Sequence, residues 1–350
     1  MQTDNKALYA INDGAERSIL LLWSVTVLVA SLTGDSIILV ATIKYKAIKL
    51  HKVTVDVIKH LAICDLLQTL FRVLPVTLAL ITDSWITGEV LCHVEDNINY
   101  FCTGLTMILT CTMSTLKLLL VKYPLRTRSS QLGNKVCVFV WVLMLAGYTP
   151  ILAVNMIYLR ETLYFSYWDY NCNYDDSSTT GSVPAWYQWY CVICYFSVNI
   201  VSYTTLVVTS ILLLVIAKKT AGRHGEGLRW EGVSVVLVTV GVFLVSYLPW
   251  VVVTGTWILG VQYHHKTWRA MYHLQYLNIM ANFFVYALTV RSFREFLKLR
   301  MAKLLSMMRS RSTDQRTNVR QGPSPALQDK GHNNTSCETT RIPRASTATE

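Results

Sequence analysis

Val57-Ile58-Lys59-His60-Leu61-Ala62-Ile63-Cys64-Asp65-Leu66-Leu67 is an apolar stretch with a carboxylate, Asp65, in its interior. An ionised side chain at membrane depth costs on the order of 3 kcal/mol on insertion scales, so such a residue reads as a functional position and needs a partner from another helix. Whether other spans exist to supply that partner decides the fold.

The chain has 350 residues, 52% hydrophobic and only 15% charged, with mean hydropathy +0.35. Soluble domains carry about 25% charged residues. Length alone admits two soluble domains, but apolar runs recur between short basic or polar loops. They cover about 18–43, 53–82, 92–121, 136–158, 186–217, 232–259 and 268–290. Each is long enough to cross a bilayer as a helix, and in lipid only a helix or a closed barrel satisfies its own backbone. The expected fold is an all-α membrane protein, a bundle of seven helices spanning residues 18–290. The net charge of +11 does not point to nucleic acid, because the basic residues flank spans or sit in the tail.

Basic residues alternate in side. One set of loops holds Lys44, Lys46, Lys49 and Lys52, then Lys122, Arg126, Arg128 and Lys135, then Lys218, Lys219, Arg223 and Arg229. The other set has few and carries most of the loop acids. The positive-inside bias places residues 1–17 outside the cell and the C-terminus in the cytoplasm, as in a multi-pass plasma-membrane protein. Residues 1–17 have neither a basic n-region nor a cleavage site, so the first span is expected to act as its own anchor. Trp186, Tyr187, Trp189 and Tyr190 form either an interfacial aromatic belt or part of a ligand mouth.

Residues 291–305 pair Phe293, Phe296, Leu297 and Leu304 with Arg294, Lys298 and Arg300. That is an amphipathic helix suited to the lipid of the inner leaflet. Residues 306–350 are polar, with many hydroxyls open to phosphorylation, and are expected to be disordered. Asn333-Asn334-Thr335-Ser336 matches the glycosylation pattern but is expected on the cytoplasmic side. Of nine Cys, Cys92 and Cys172 fall in outer segments, where an oxidising compartment favours their pairing. Cys64, Cys102, Cys111, Cys137, Cys191 and Cys194 lie within spans and read as small apolar packers. Cys337 lies in the tail.

These residues resemble a rhodopsin-like (class A) G-protein-coupled receptor, as a divergent, orphan-type member. The resemblance rests on Leu61-Ala62-x-x-Asp65, Trp85-x-x-Gly88 before Cys92, Pro124-Leu125, Trp141 and Cys172. It continues through Phe243-x-x-Ser246-Tyr247-Leu248-Pro249, Asn278, Asn282-Phe283-Phe284-Val285-Tyr286 and Phe293. The departures are equally specific. Leu116-Lys117-Leu118 stands where the family has Asp-Arg-Tyr, and Lys keeps the charge of Arg but loses its planar fork. Asn282-Phe283 replaces Asn-Pro, removing the backbone break of proline. Tyr247 replaces a Trp, Asn199 a Pro and Asp35 an Asn.

The resemblance implies that Asp35, Asp65, Thr106, Asn278 and Asn282 converge in mid-bundle, around a sodium ion at Asp65 as the one bound cofactor. Buried carboxylates need cations or hydrogen bonds, and two neighbouring ones are not comfortably ionised together. Asp35 and Asp65 are therefore expected to share a proton or a cation, or else to serve as packing glue bonded to Asn and Ser groups. The resemblance places Asn99, Thr103, Tyr247, Trp250, Thr254, Tyr272 and Tyr276 around the ligand. Asn99 offers no counter-ion to an amine, and Tyr276 replaces the lysine of the opsins. The outer loop, with Tyr164, Tyr167, Trp168, Tyr170 and Tyr174 among Asp169, Asp175 and Asp176, alternates like a β-hairpin and suits a basic peptide.

The expected function follows from the resemblance. An extracellular ligand, peptide or small molecule, shifts a helix arrangement that a heterotrimeric G protein reads. Lys117, Pro124, Tyr286 and Phe293 serve activation, and arrestin reads the phosphorylated tail. A transporter or channel would show internal repeats or broken half-helices, and none is seen. No nucleophile–base pair or His-Glu-x-x-His pattern suggests an enzyme. The altered Leu116-Lys117-Leu118 keeps a second reading open, a receptor-like protein that does not signal.

Overall fold

A computed structural model describes residues 14–46, 50–122, 132–157, 163–166, 171–174, 185–220, 227–258, 261 and 263–320. Pro124, Arg126 and Arg128 lie outside these residues, as do Tyr167, Trp168, Asp169, Tyr170, Asp175 and Asp176. So do residues 1–13 and the tail from 321, with Asn333 and Cys337. The chain forms two compact units, Met1–Lys298 and Leu299–Glu350, each described by itself.

The first unit is a bundle of seven helices. They are α1 (Gly14–Ile43), α2 (Lys52–Thr82), α3 (Gly88–Lys122), α4 (Leu132–Ile157), α5 (Ala185–Thr220), α6 (Gly227–Ile258) and α7 (His265–Thr289). Six are long and apolar enough to cross a membrane. α7 is 25 residues long but carries Arg269, His273, Gln275, Asn278 and Asn282, all buried. Its polarity is turned into the bundle, which lowers its hydropathy without exposing charge to lipid.

Hydroxyls in an apolar medium need acceptors, and here the helices supply them. Thr26, Thr33, Thr42, Thr77, Thr110 and Thr112 each donate to the carbonyl four residues earlier at 2.6–2.8 Å. α2 is interrupted by a π turn at Thr69–Val73, where the Leu74 N–H bonds to the Thr69 carbonyl. The cause is Pro75, which has no N–H and whose ring crowds the carbonyl of Phe71. The wider turn relieves that contact.

α2 and α3 are the most enclosed helices, whereas α4 and α5 bury the smallest shares of their spans. α4 exposes Phe139, Val142, Leu143 and Leu145, and α5 exposes Ile200, Val201, Ile211 and Leu212. Such faces suit acyl chains, so the bundle must cohere by close packing and interhelical polar contacts rather than by expelling water. One core joins Leu61, Phe101, Leu105, Leu109, Leu206, Phe243 and Tyr247. A second joins Ile38, Ala41, Ile58, Ala62, Val285, Tyr286, Val290 and Phe293.

At one end of the bundle, Asp83 closes α2 in a left-handed conformation and Gly88, at φ +84°, opens α3. The Trp85 indole N–H donates to the Gly88 carbonyl at 2.9 Å. This explains the Trp-x-x-Gly spacing, since a positive φ favours glycine. Strands β1 (Leu163–Ser166) and β2 (Asn171–Tyr174) pair antiparallel with Phe165 opposite Cys172. The outer-loop hairpin read from alternation is thus present, and a Cys92–Cys172 disulfide ties β2 to α3.

Helix α8 (Arg291–Arg320) begins one residue after α7. Phe293 and Phe296 join the second core, with rings 6.4 Å apart. The helix runs to Arg320, past residue 305 where the amphipathic pattern was expected to end. Once a helix is nucleated, each further residue adds a hydrogen bond without a new nucleus. Residues 306–320 contain no Gly or Pro, which first occur at Gly322-Pro323.

Candidate functional site

The polar cluster is built from three helices. Ser31 and Asp35 are one turn apart on α1, and the Ser31 Oγ donates to Asp35 Oδ2 at 2.7 Å. Ser31 Oγ also meets Thr69 Oγ1, in the π turn, at 2.6 Å. Thr69 in turn donates to the Asp65 carbonyl at 2.7 Å. From α7, Asn282 Nδ2 donates to Asp65 Oδ2. All of these groups are buried. Asp35 and Asp65 are thus joined through two hydroxyls that the sequence reading did not single out. Ser and Thr are common in spans, and only their placement here distinguishes them.

Thr106 and Asn278 make no hydrogen bond to either carboxylate among the described residues. Thr106 faces the Cys64 thiol at 3.3 Å rather than a carboxylate. Asn278 is buried, and its Nδ2 has no hydrogen-bond partner among the described residues. Asp35 Oδ1 and Asp65 Oδ1 are likewise unpartnered. Carboxylate oxygens without hydrogen bonds are hard donors, the type that a small cation takes, while among the described residues no group of three or more His, Cys, Asp or Glu is placed to hold a metal ion.

The cluster needs close helices. At Gly34, beside Asp35, a Cβ would stand 2.6 Å from Phe283 Cβ and 2.9 Å from its Cγ. Phe283, in the family's proline position, therefore packs on bare backbone of α1, and α7 remains continuous from His265 to Thr289.

Towards the disulfide end lie the expected ligand residues. Asn99, Thr103, Tyr247, Trp250, Tyr272 and Tyr276 are all buried, and Thr254 is partly buried. Tyr247 packs tilted against Phe243 with centroids 4.7 Å apart, and Trp250 meets Tyr100 at 6.5 Å. Tyr272 and Tyr276 both face a residue overlooked in the sequence, Arg72, whose guanidinium lies 5.6 Å and 4.9 Å from their ring centres. Arg72 is fully buried in the π turn of α2. It donates to Gln275 Oε1 at 3.1 Å and stands 3.9 Å from Glu95 of α3. Glu95 Oε2 accepts from the Cys172 backbone N–H at 3.1 Å, linking this centre to the disulfide loop. The signal that could have found Arg72 was the one that found Asp65, a charge inside an apolar run.

At the same end Glu16 accepts from Arg269 at 2.8 Å and lies 3.5 Å from Lys266, tying the start of α1 to α7. Trp186 and Trp189 are exposed, and the Tyr190 hydroxyl donates to the Gly147 carbonyl of α4 at 2.6 Å. At the opposite end Lys117 is buried and lies against Gly232 of α6, where a Cβ would overlap its Nζ. Tyr286 and Phe293 are buried in the second core. His51, just before α2, is pushed below its ordinary value by partial burial and then by the charge of Lys117.

The model of the 7 transmembrane receptor (rhodopsin family) matches residues 35–286. The chain belongs to that family, and is a multi-pass membrane receptor of the G-protein-coupled class. It is similar to C-C chemokine receptor type 8 of Homo sapiens, 27% identical over 146 residues, which is 41% of this chain and 40% of the relative. That similarity thus spans about two fifths of the relative's length.

Proposed function

We propose that the chain is a plasma-membrane receptor that transduces an extracellular ligand to a heterotrimeric G protein by helix rearrangement. Its N-terminus lies outside and its C-terminus in the cytoplasm, as the basic loops favour. The carrying observation is the chain of polar contacts Asp35–Ser31–Thr69–Asp65 carbonyl, with Asn282 on the Asp65 carboxylate, which joins α1, α2 and α7 between the ligand-side tyrosines and Lys117. A ligand acts through its differential affinity for two arrangements of such a path. Sodium at Asp35 and Asp65 would favour one of them. The ligand read here is a polypeptide, which the acidic aromatic outer loop suits and the chemokine receptor relative favours. Arrestin would engage the phosphorylated tail, and α8 the inner leaflet.

A second reading, a receptor that does not signal, is favoured by Leu116-Lys117-Leu118 and by Lys117 lying buried against Gly232. Nucleotide exchange separates the two. The full chain in lipid nanodiscs is mixed with a panel of heterotrimers, and binding of a slowly hydrolysed GTP analogue is timed. Basal exchange above receptor-free discs is expected, and faster exchange in Lys117→Arg, which restores the planar fork. Exchange at the receptor-free rate for both forms with every heterotrimer would refute coupling and leave the silent reading.

A further inference from the structure

The guanidinium of Arg72 has one edge committed and one edge open. Nη1 donates to Gln275. Nε and Nη2, which form the side-on fork, have no hydrogen-bond partner within 3.5 Å among the described residues, and the Tyr276 hydroxyl lies close enough to interact with the guanidinium. The nearest carboxylate oxygen, Glu95 Oε1, is 3.9 Å from Nε. That is an ion-pair distance, beyond hydrogen-bond length. Glu95 Oε1 likewise has no hydrogen-bond partner among the described residues, while Oε2 is held by the Cys172 N–H. Both side chains are buried, at 0% and 1% exposure, so neither open edge is satisfied by bulk water. A buried charge-bearing fork left open is costly unless something fills it.

Its position indicates what would fill it. Tyr272 and Tyr276 flank the guanidinium from α7. Asn99 lies one helical turn beyond Glu95 on the same face of α3. All three residues belong to the expected ligand set. A planar fork between aromatic rings matches a planar, two-oxygen anion.

We propose that Arg72 is the recognition residue for a carboxylate of the ligand, with Glu95 as the internal counter-ion that the carboxylate displaces from the fork. Glu95 keeps its bond to the Cys172 N–H, so occupancy of the fork is felt at the disulfide loop. The carboxylate belongs either to a peptide C-terminus or to a small organic acid. This inference rests on the receptor reading above, in which Tyr272, Tyr276 and Asn99 face the ligand.

The test is ligand-observed saturation-transfer NMR on the full chain in nanodiscs. One arm compares N-acetylphenylalanine with its primary amide, and the other compares phenylacetate with phenylacetamide. In wild type the acid should bind at least about tenfold tighter than the amide, as a charge-assisted two-point contact requires. Glu95→Gln should tighten acid binding by removing the competing carboxylate. Arg72→Lys should lose most of the preference and Arg72→Gln all of it. Should Arg72→Gln unfold because Glu95 is left alone, Arg72→Gln/Glu95→Gln removes both charges and carries the same expectation. A preference in the first arm alone assigns a peptide terminus, and one in both arms a small acid. Equal binding of acid and amide, no binding in either arm, or an acid preference surviving in the double variant would overturn the proposal. None of these readouts involves a G protein, so failure of coupling and failure of this site are distinguishable.

Discussion

Replacing Gly34 by Ala tests the closeness of α1 and α7 on which the polar cluster depends. The new Cβ would meet Phe283 Cβ at 2.6 Å and Cγ at 2.9 Å. Carbon atoms rest at about 3.5–4.0 Å, so the two helices must part locally by roughly 1 Å. Phe283 cannot escape by changing rotamer, because its Cβ is fixed by the backbone. Such overpacking costs about 1–3 kcal/mol. Against it stands the gain of helix propensity from Gly to Ala, up to about 1 kcal/mol. With the full propensity gain set against it, the net expectation is a loss of up to about 2 kcal/mol. Gly147 and Gly241 supply controls within α4 and α6, since a Cβ at either meets nothing within 4 Å. Alanine at those positions should be neutral or raise stability by up to about 1 kcal/mol.

Thermal unfolding of the detergent-purified receptor, followed with a thiol-reactive dye, is a direct assay, because Cys64, Cys102, Cys111 and Cys137 are free and buried. Gly34→Ala should unfold a few degrees below wild type and both controls at or above it. In a double-mutant cycle, Phe283→Gly, which removes the offending Cβ, should cost less in the Gly34→Ala background than in wild type. Gly34→Ala unfolding together with the two controls would refute the close packing of α1 on Phe283.

Two further outcomes follow. Sodium should raise the unfolding temperature of wild type relative to an equal concentration of choline, by about 2.7 kcal/mol equivalent at a hundredfold excess over its dissociation constant. Asp35→Asn and Asp65→Asn should each weaken that response, and indifference to sodium in all three forms would refute the cation site. Cys172→Ser opens a link between residues 80 apart in sequence. The chain-entropy account predicts a loss of about 4–5 kcal/mol, measured by the same unfolding assay, and unchanged stability would argue against the bond.

Much of the fold was legible because lipid leaves the backbone so little choice. Every long apolar run must become a helix, and runs of this length can be counted. The Cys92–Cys172 pairing could also be read, since an oxidising exterior acts on few residue types, whereas Trp85-x-x-Gly88 was legible only as a motif and its turn came from the structure. Asp65 was found by the cost of its charge. Arg72 obeys the same rule and Glu95 a neighbouring one, yet the apolar run read across both, since neither belongs to a motif that draws the eye. Helix α8 outran its expected end at 305 because low hydropathy argues against burial, whereas a helix already started needs only the absence of Gly and Pro.

The sequence by itself determined seven helices, their order and some of the residues that must turn inward, Asp65 among them. It could not determine which inward groups meet. Ser31 and Thr69 link the Asp35 carboxylate to the Asp65 backbone carbonyl only because α1 approaches the π turn of α2, and that turn exists because Pro75 denies the helix a hydrogen bond. Thr106 lies against Cys64, and the open fork of Arg72 faces Glu95 beside the disulfide loop. Side-chain distances of a few ångströms depend on how helices distant in sequence settle against one another, and this is fixed by packing over the whole bundle.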